Sequence, residues 1–232
     1  VYARRVGDKV LDFSHRGWLY EESFTIYDYQ TDSLWVQATG QAVAGPYKGT
    51  RLERLPATQT TWSQWKSLHP HTRVLARVLG RNADYWRDSY ETYYQTGRGI
   101  TRHHYQPLNF GLAVILPDEQ KLFPFAELEK KPVLADRVAG DPVVVVFHEG
   151  NRTAVAFDPR RKGQLLEFSD HRVEKLDVIL TDRQTGSSWS GLTGRCLSGP
   201  AAGAQLRQLT TTQWVVENWP LHYPKGPVYR TR

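Results

Sequence analysis

One long stretch of this chain occurs twice, and that repetition limits the possible folds more than any other feature. Asp28-Tyr29-Gln30-Thr31-Asp32-Ser33-Leu34-Trp35 returns as Asp182-Arg183-Gln184-Thr185-Gly186-Ser187-Ser188-Trp189. With no gap, Thr39-Gly40 matches Thr193-Gly194, Gly45-Pro46 matches Gly199-Pro200, and Gly49, Leu52 and Leu55 match Gly203, Leu206 and Leu209. Thr58-Gln59, Trp65 and Pro70 match Thr212-Gln213, Trp219 and Pro224, so sixteen of the 43 positions from 28 to 70 are identical at an offset of 154. Such a spacing is far too long for a solenoid repeat and marks a duplicated domain or half-domain.

The shared residues are mainly turn formers and core residues. Asp28 and Asp182 close the expected strands 24–27 and 178–181, where a carboxylate accepts a hydrogen bond from the backbone two residues on. Gly186 suits a left-handed turn position, and its counterpart Asp32 is among the few side chains that tolerate one. Trp35 and Trp189 sit on the next strand and read as core. Thr-Gly and Gly-Pro then turn the chain twice, and Leu52 and Leu55 lie on a returning strand, giving a meander of short strands. A helix follows in each copy. Thr61 with Gln64 fits a capping box, Trp62, Trp65 and Leu68 recur at helical spacing, and Pro70 is the stop. In the second copy Pro220 is expected to end the helix early.

Between the copies, residues 76–110 are polar and tyrosine-rich. Beyond them the pattern predicts a strand at 112–116, a short helix at 126–130, a central strand at 143–147 and a further strand at 154–157 leading into the second copy. The expected fold class is mainly β (α+β): two pseudo-repeated antiparallel meander-plus-helix units packed as one globular body. The division is 1–75 for the first repeat, 76–110 for the connection and 111–232 for the second repeat. A lead-in for the first copy would lie before Val1, and a chain without methionine that starts within a strand pattern reads as processed or truncated.

No apolar run approaches the roughly 18 residues of a membrane span. Cys196 is the only cysteine, which excludes an internal disulfide and any zinc site needing two thiolates. Its counterpart is Ala42, so it reads as a small buried side chain. The net charge of +6 is scattered, as in Arg160-Arg161-Lys162 beside Gly163, and predicts no nucleic-acid surface.

Candidate metal ligands are His103, His104 and His148, though adjacent histidines on a strand point to opposite faces and no spacing matches a zinc or copper signature. Gly97-Arg98-Gly99 lacks the strand-to-helix context of a phosphate loop. Gly186–Gly191 lacks the spacing of a serine elbow. The aromatic side chains Trp86, Tyr90, Tyr93, Tyr94 and Tyr105 are candidate binding residues, because Tyr and Trp combine apolar area with a polar tip.

The motif from Asp28 to Trp35 with Thr39-Gly40 and Gly45-Pro46, together with Trp65, His69-Pro70, Thr72-Arg73-Val74-Leu75, Asp84–Tyr94, Phe123-Pro124, Gly140–Val145 and the second copy, resembles the bacterial and archaeal family called domain of unknown function 3179. The resemblance covers nearly the whole chain and implies an extracytoplasmic location. It also implies a Cys-Pro-Leu-Cys-like motif after the valine-rich strand, where this chain has His148-Glu149-Gly150-Asn151. The expected function is a non-catalytic extracytoplasmic binding or structural domain, an accessory subunit of a larger complex. A protein partner is expected, peripheral membrane association is compatible, and no cofactor is predicted. The alternative is a metal-dependent or redox enzyme using a transition metal, with an active site that needs sequence upstream of Val1.

Overall fold

The computed structural model describes residues 1–74 and 110–231. The first repeat opens with a small hairpin, β1 (Arg5–Val6) and β2 (Lys9–Val10), followed by the antiparallel meander β3 (Phe13–Tyr20), β4 (Ser23–Asp28), β5 (Leu34–Val36) and β6 (Ala42–Ala44), then helix α1 (Trp62–Leu68). Next come β7 (Phe110–Ile115), β8 (Gln120–Pro124), α2 (Phe125–Lys130), β9 (Val133–Val138), β10 (Asp141–His148) and β11 (Thr153–Asp158). The second repeat has the same hairpin, β12 (Arg160–Arg161) and β13 (Gln164–Leu165), and the same meander, β14 (Phe168–Val173), β15 (Val178–Asp182), β16 (Ser188–Ser190) and β17 (Cys196–Ser198). It ends with β18 (Arg207–Gln208), β19 (Thr211–Val215) and α3 (Trp219–His222).

Three layers surround the valine-rich strand. The central sheet has the order β18-β11-β10-β9, and one face packs on the β19-β7-β8 sheet and α2 through Val143, Val145 and Phe147. The other face carries Val144 and Val146 against Val178, Leu180 and Trp189 of the second meander. A strand buried on both faces has no reason to alternate, which is why 143–147 is apolar throughout.

The two repeats share their local geometry. Asp32 and Gly186 adopt φ values of 58° and 66° at the same turn position. Gly45 and Gly199 have φ near 90°, and a Cβ there would fall 2.6 and 2.8 Å from the Cα of Ser33 and Ser187. Duplication also reaches further upstream than the identities indicated. The β1–β2 and β12–β13 hairpins, the buried pair Leu11 and Leu166, and Phe13 and Phe168 correspond at an offset of 155, each phenylalanine packing edge-on against the tryptophan of its own repeat, Trp35 or Trp189. One residue fewer lies between Phe168 and Asp182 than between Phe13 and Asp28, and that slip hides the match from a gapless comparison.

Three local expectations need correction. Asp28 and Asp182 accept from the backbone N–H three residues on, at Thr31 and Thr185, both at 2.6 Å. Thr61 does cap α1, but the Gln64 side chain turns away from the cap and is the buried residue of the helix, while Trp62 is exposed. Pro220 lies in the first turn of α3 and starts that helix, because a proline there removes an N–H that has no helical partner anyway. The 3-10 turn Val216–Asn218 aligns with the first residues of α1, and strand β19 aligns with residues 57–61 ahead of it.

Candidate functional site

The retained polar residues of each repeat bind one another. Trp35 Nε1 donates to Asp28 Oδ2 at 2.9 Å, and Trp189 Nε1 donates to Asp182 Oδ2 at 2.8 Å. Thr31 and Thr185 hydroxyls bridge their aspartate to Ser33 and Ser187, whose Oγ atoms accept from Tyr47 N and Ala201 N across the next turn. Burial works against the Asp182 carboxylate, but the donors from Trp189, Thr185 and Ser187 outweigh it and hold its pKa below the usual value. With all their capacity used locally, these residues set the turns and offer nothing to a ligand.

Other buried polar groups are equally committed. His148 caps the 3-10 turn 149–151: Nδ1 accepts from Asn151 N at 3.2 Å, and Nε2, facing the Glu174 carbonyl at 2.9 Å, must carry the proton. As placed, both ring nitrogens of this candidate ligand are occupied. Gln64 Nε2 donates to Leu176 O at 3.0 Å and its Oε1 accepts from Thr153 Oγ1 at 2.6 Å, so α1 of the first repeat is bolted onto the second. Cys196 is buried, with Sγ 3.4 Å from the Ser188 and Ser198 carbonyls. No group of three or more His, Cys, Asp or Glu placed to hold a metal occurs among the described residues. Candidates His103, His104, Trp86, Tyr90, Tyr93, Tyr94 and Tyr105 lie outside the described residues.

The repeats meet in a cleft of about 760 Å³. Arg51 and Arg54 of the first repeat form one wall, the β7–β8 turn with Asp118 and Glu119 another, and His222–Gly226 the third. Comparison within the duplication shows what is special there. Arg51 and Arg54 replace Gln205 and Gln208, and Gln208 is tied to Thr58 by a 3.0 Å hydrogen bond. Arg54 stacks on the Tyr2 ring and donates to Tyr2 Oη and the Ala38 carbonyl, yet neither arginine nor Lys225 has a carboxylate within ion-pair distance among the described residues.

Tyr223, packed between Trp214 and Trp219, has a buried hydroxyl with no hydrogen-bond partner among the described residues. Burial pushes the Tyr2 phenol up to about 12, with Arg54 opposing and Tyr223 adding to the effect, so it stays protonated at neutral pH. Arg51, Arg54 and Lys225 can attract an oxyanion by charge, opposed in part by Asp118 and Glu119 in the same cleft. Sequence reading missed this cleft because its charged residues are not shared between the copies and its walls come from distant parts of the chain. The signal available was the replacement of two glutamines by arginines in an otherwise aligned segment.

The family model of the domain of unknown function 3179, described as a protein of unknown function, matches residues 1–177 and again 112–232. The searches of curated proteins and of solved structures returned no match. Two overlapping matches that together span the chain are what a duplicated domain produces, and the chain belongs to the DUF3179 family.

Proposed function

We propose that this protein is a non-catalytic binding domain, exported from the cytoplasm and acting as an accessory subunit of a larger assembly. The observation that carries the binding reading is the seam cleft: Arg51, Arg54 and Lys225 without a paired carboxylate, next to the orphan hydroxyl of Tyr223. The polar residues shared between the repeats are consumed in turns, and Gln64 in the α1 anchor, which supports a scaffold that presents a surface. A carboxylate or phosphate group on the partner supplies the complementary charge. The tyrosine-rich connection, through Trp86, Tyr90, Tyr93, Tyr94 and Tyr105, adds aromatic contact area in this reading. The absence among the described residues of any helix long and apolar enough to cross a membrane is compatible with a peripheral role.

The test is titration of the purified protein with inorganic phosphate and with acetate, followed by calorimetry and by chemical-shift changes at Arg51, Lys225 and Tyr223. Saturable binding lost in Arg51→Glu and in Lys225→Glu supports the cleft. Binding unaffected by both charge reversals removes it. For the accessory role, the natural protein should co-purify with a membrane or multi-subunit fraction and dissociate in the same two variants.

A further inference from the structure

Hydrogen-bond parity leaves one side of strand β9 open. Phe147 N donates to the Pro132 carbonyl at 2.8 Å, and the register from Val133↔Val146 to Val138↔Asp141 carries that pattern along the hairpin, so the even-numbered residues of β9 bond to β10. The N–H and C=O groups of Val133, Ala135 and Arg137 therefore point away from the sheet. Arg137 N is taken by Asp136 Oδ1 at 2.8 Å, while the backbone groups of Val133 and Ala135 meet no partner among the described residues. Other edges are closed or bent: residues 227–229 cover β8 through bonds to Leu122, and β3 and β14 carry bulges. Strand β9 instead runs in unbroken register along its whole length.

The odd-numbered face of β9 belongs to a groove. Val133, Ala135 and Pro142 form one side and Leu165, Leu166 and Phe168 the other, around a space of about 680 Å³. Ala135 and Leu165 are exposed, whereas Leu134 and Val138 turn into the core. Charge in the groove is unbalanced. Asp136 is held by Lys121 at 2.7 Å, and Glu167 lies 3.8 Å from Arg183. Lys131 and Arg137 also line the groove, and neither has a carboxylate within ion-pair distance among the described residues. The Arg137 guanidinium donates to the Gly140 carbonyl instead.

The geometry points to β9 as a docking edge for an extended acidic segment of a partner protein, which extends the sheet β18-β11-β10-β9 by one strand. Lying antiparallel to β9, the segment exchanges hydrogen bonds with Val133 and Ala135 and turns two apolar side chains toward Leu165 and Phe168. It places one carboxylate near Lys131 and another near Arg137. These cations share a face of the strand and stand about 20 Å apart at about 3.3 Å per residue, so the two carboxylates belong to residues about six positions apart. A second copy of this chain suits the edge poorly. Pairing β9 with itself about Ala135 sets Arg137 of one copy diagonal to Lys131 of the other, and like charges meet at both ends.

The probe is the labelled peptide acetyl-Glu-Thr-Val-Thr-Val-Thr-Glu-amide, whose valines fall opposite Val133 and Ala135 and whose glutamates fall opposite Lys131 and Arg137. Its control is the same peptide with lysine at both ends. Fluorescence anisotropy should show saturable binding of the acidic peptide, and amide exchange at Val133 and Ala135 should slow on binding. The lysine-ended peptide, and the acidic peptide on Arg137→Glu, should bind at least about 10-fold more weakly. Ala135→Pro removes a donor that makes no bond to β10, so the sheet should survive and the binding be lost. Absence of saturable binding, equal binding of the two peptides, or unchanged exchange at Val133 and Ala135 overturns the inference. So does a dimer in sedimentation that Ala135→Pro converts to monomer, which assigns the edge to a second copy. Because Arg51 and Lys225 lie outside this groove, Arg51→Glu should leave the peptide bound, and the anion cleft stands or falls separately.

Discussion

Replacing Asp182 by asparagine should be among the most damaging single-atom changes available to this chain. The carboxylate accepts from Trp189 Nε1 at 2.8 Å, from Thr185 N at 2.6 Å and from the Thr185 hydroxyl. An amide offers one oxygen and one donor, so either the indole N–H or the Thr185 N–H faces another donor. Trp189 is fully buried, and water cannot repair the loss. A charge-assisted hydrogen bond exchanged for an unsatisfied buried donor costs about 3 kcal/mol. Trp189→Phe removes the donor as well as some apolar area, at a cost of about 2–3 kcal/mol.

In the double variant the amide no longer meets an indole N–H, so the two costs should overlap by about 1.5 kcal/mol. Urea unfolding of the four proteins measures the coupling, provided the transitions stay two-state. The cycle built on Asp28→Asn and Trp35→Phe should give the same coupling to within about 0.5 kcal/mol, because the geometry is the same. Additive costs at either site would refute the assignment of these residues to the turn.

Gln64→Ala takes the side-chain donor from the Leu176 carbonyl, while Thr153 Oγ1 keeps Thr60 Oγ1 and the Asn151 carbonyl, and should cost about 1–2 kcal/mol while freeing α1 to exchange with solvent, read by hydrogen exchange at 62–68. Gly199→Ala places a Cβ 2.8 Å from the Ser187 backbone at a φ of 92° and should cost at least about 2 kcal/mol by urea unfolding, with Gly203→Ala, which meets nothing, costing less. For pH, burial raises the Asp158 pKa, but Arg160 and Arg207 outweigh it and bring the group down to about 2; Asp182 is also lowered. Depressed carboxylates stabilise fully above their unfolded pKa, so stability should fall as pH drops from about 4 toward 2. Asp177, raised by burial, runs the other way and softens the start of that decline; Asp158→Asn should flatten the acid limb in a thermal-unfolding series.

The meander was legible because turns are local. Asp32, Gly186, Gly45 and Gly199 advertise backbone conformations that few residues tolerate, and a second copy at constant spacing removes the ambiguity of a single motif. The valine run was legible as a buried central strand from its length and unbroken apolar character. Gln64 was not legible as the anchor of α1, because its partners Thr153 and Leu176 come from the other repeat and the Trp62–Trp65–Leu68 spacing drew attention to the wrong face. Pro220 was misread because a proline can begin a helix as well as end one, and only the preceding strand β19 decides. The seam cleft depends on how the repeats sit against each other, which periodicity does not encode. His148 has the chemistry of a ligand, but its role is set by a carbonyl 26 residues away.

Two building blocks alike in fold, kept alike by an aspartate that clamps a buried tryptophan, are the centre of this account. Hydrogen exchange of the indole N–H groups, followed by NMR, addresses it most directly. Trp35 and Trp189 should exchange with the same slow rate order as the surrounding sheet, while exposed Trp18 and Trp62 exchange at solvent rates. A fast indole at either Trp35 or Trp189, with the protein otherwise folded, would contradict the shared clamp and with it the equivalence of the repeats.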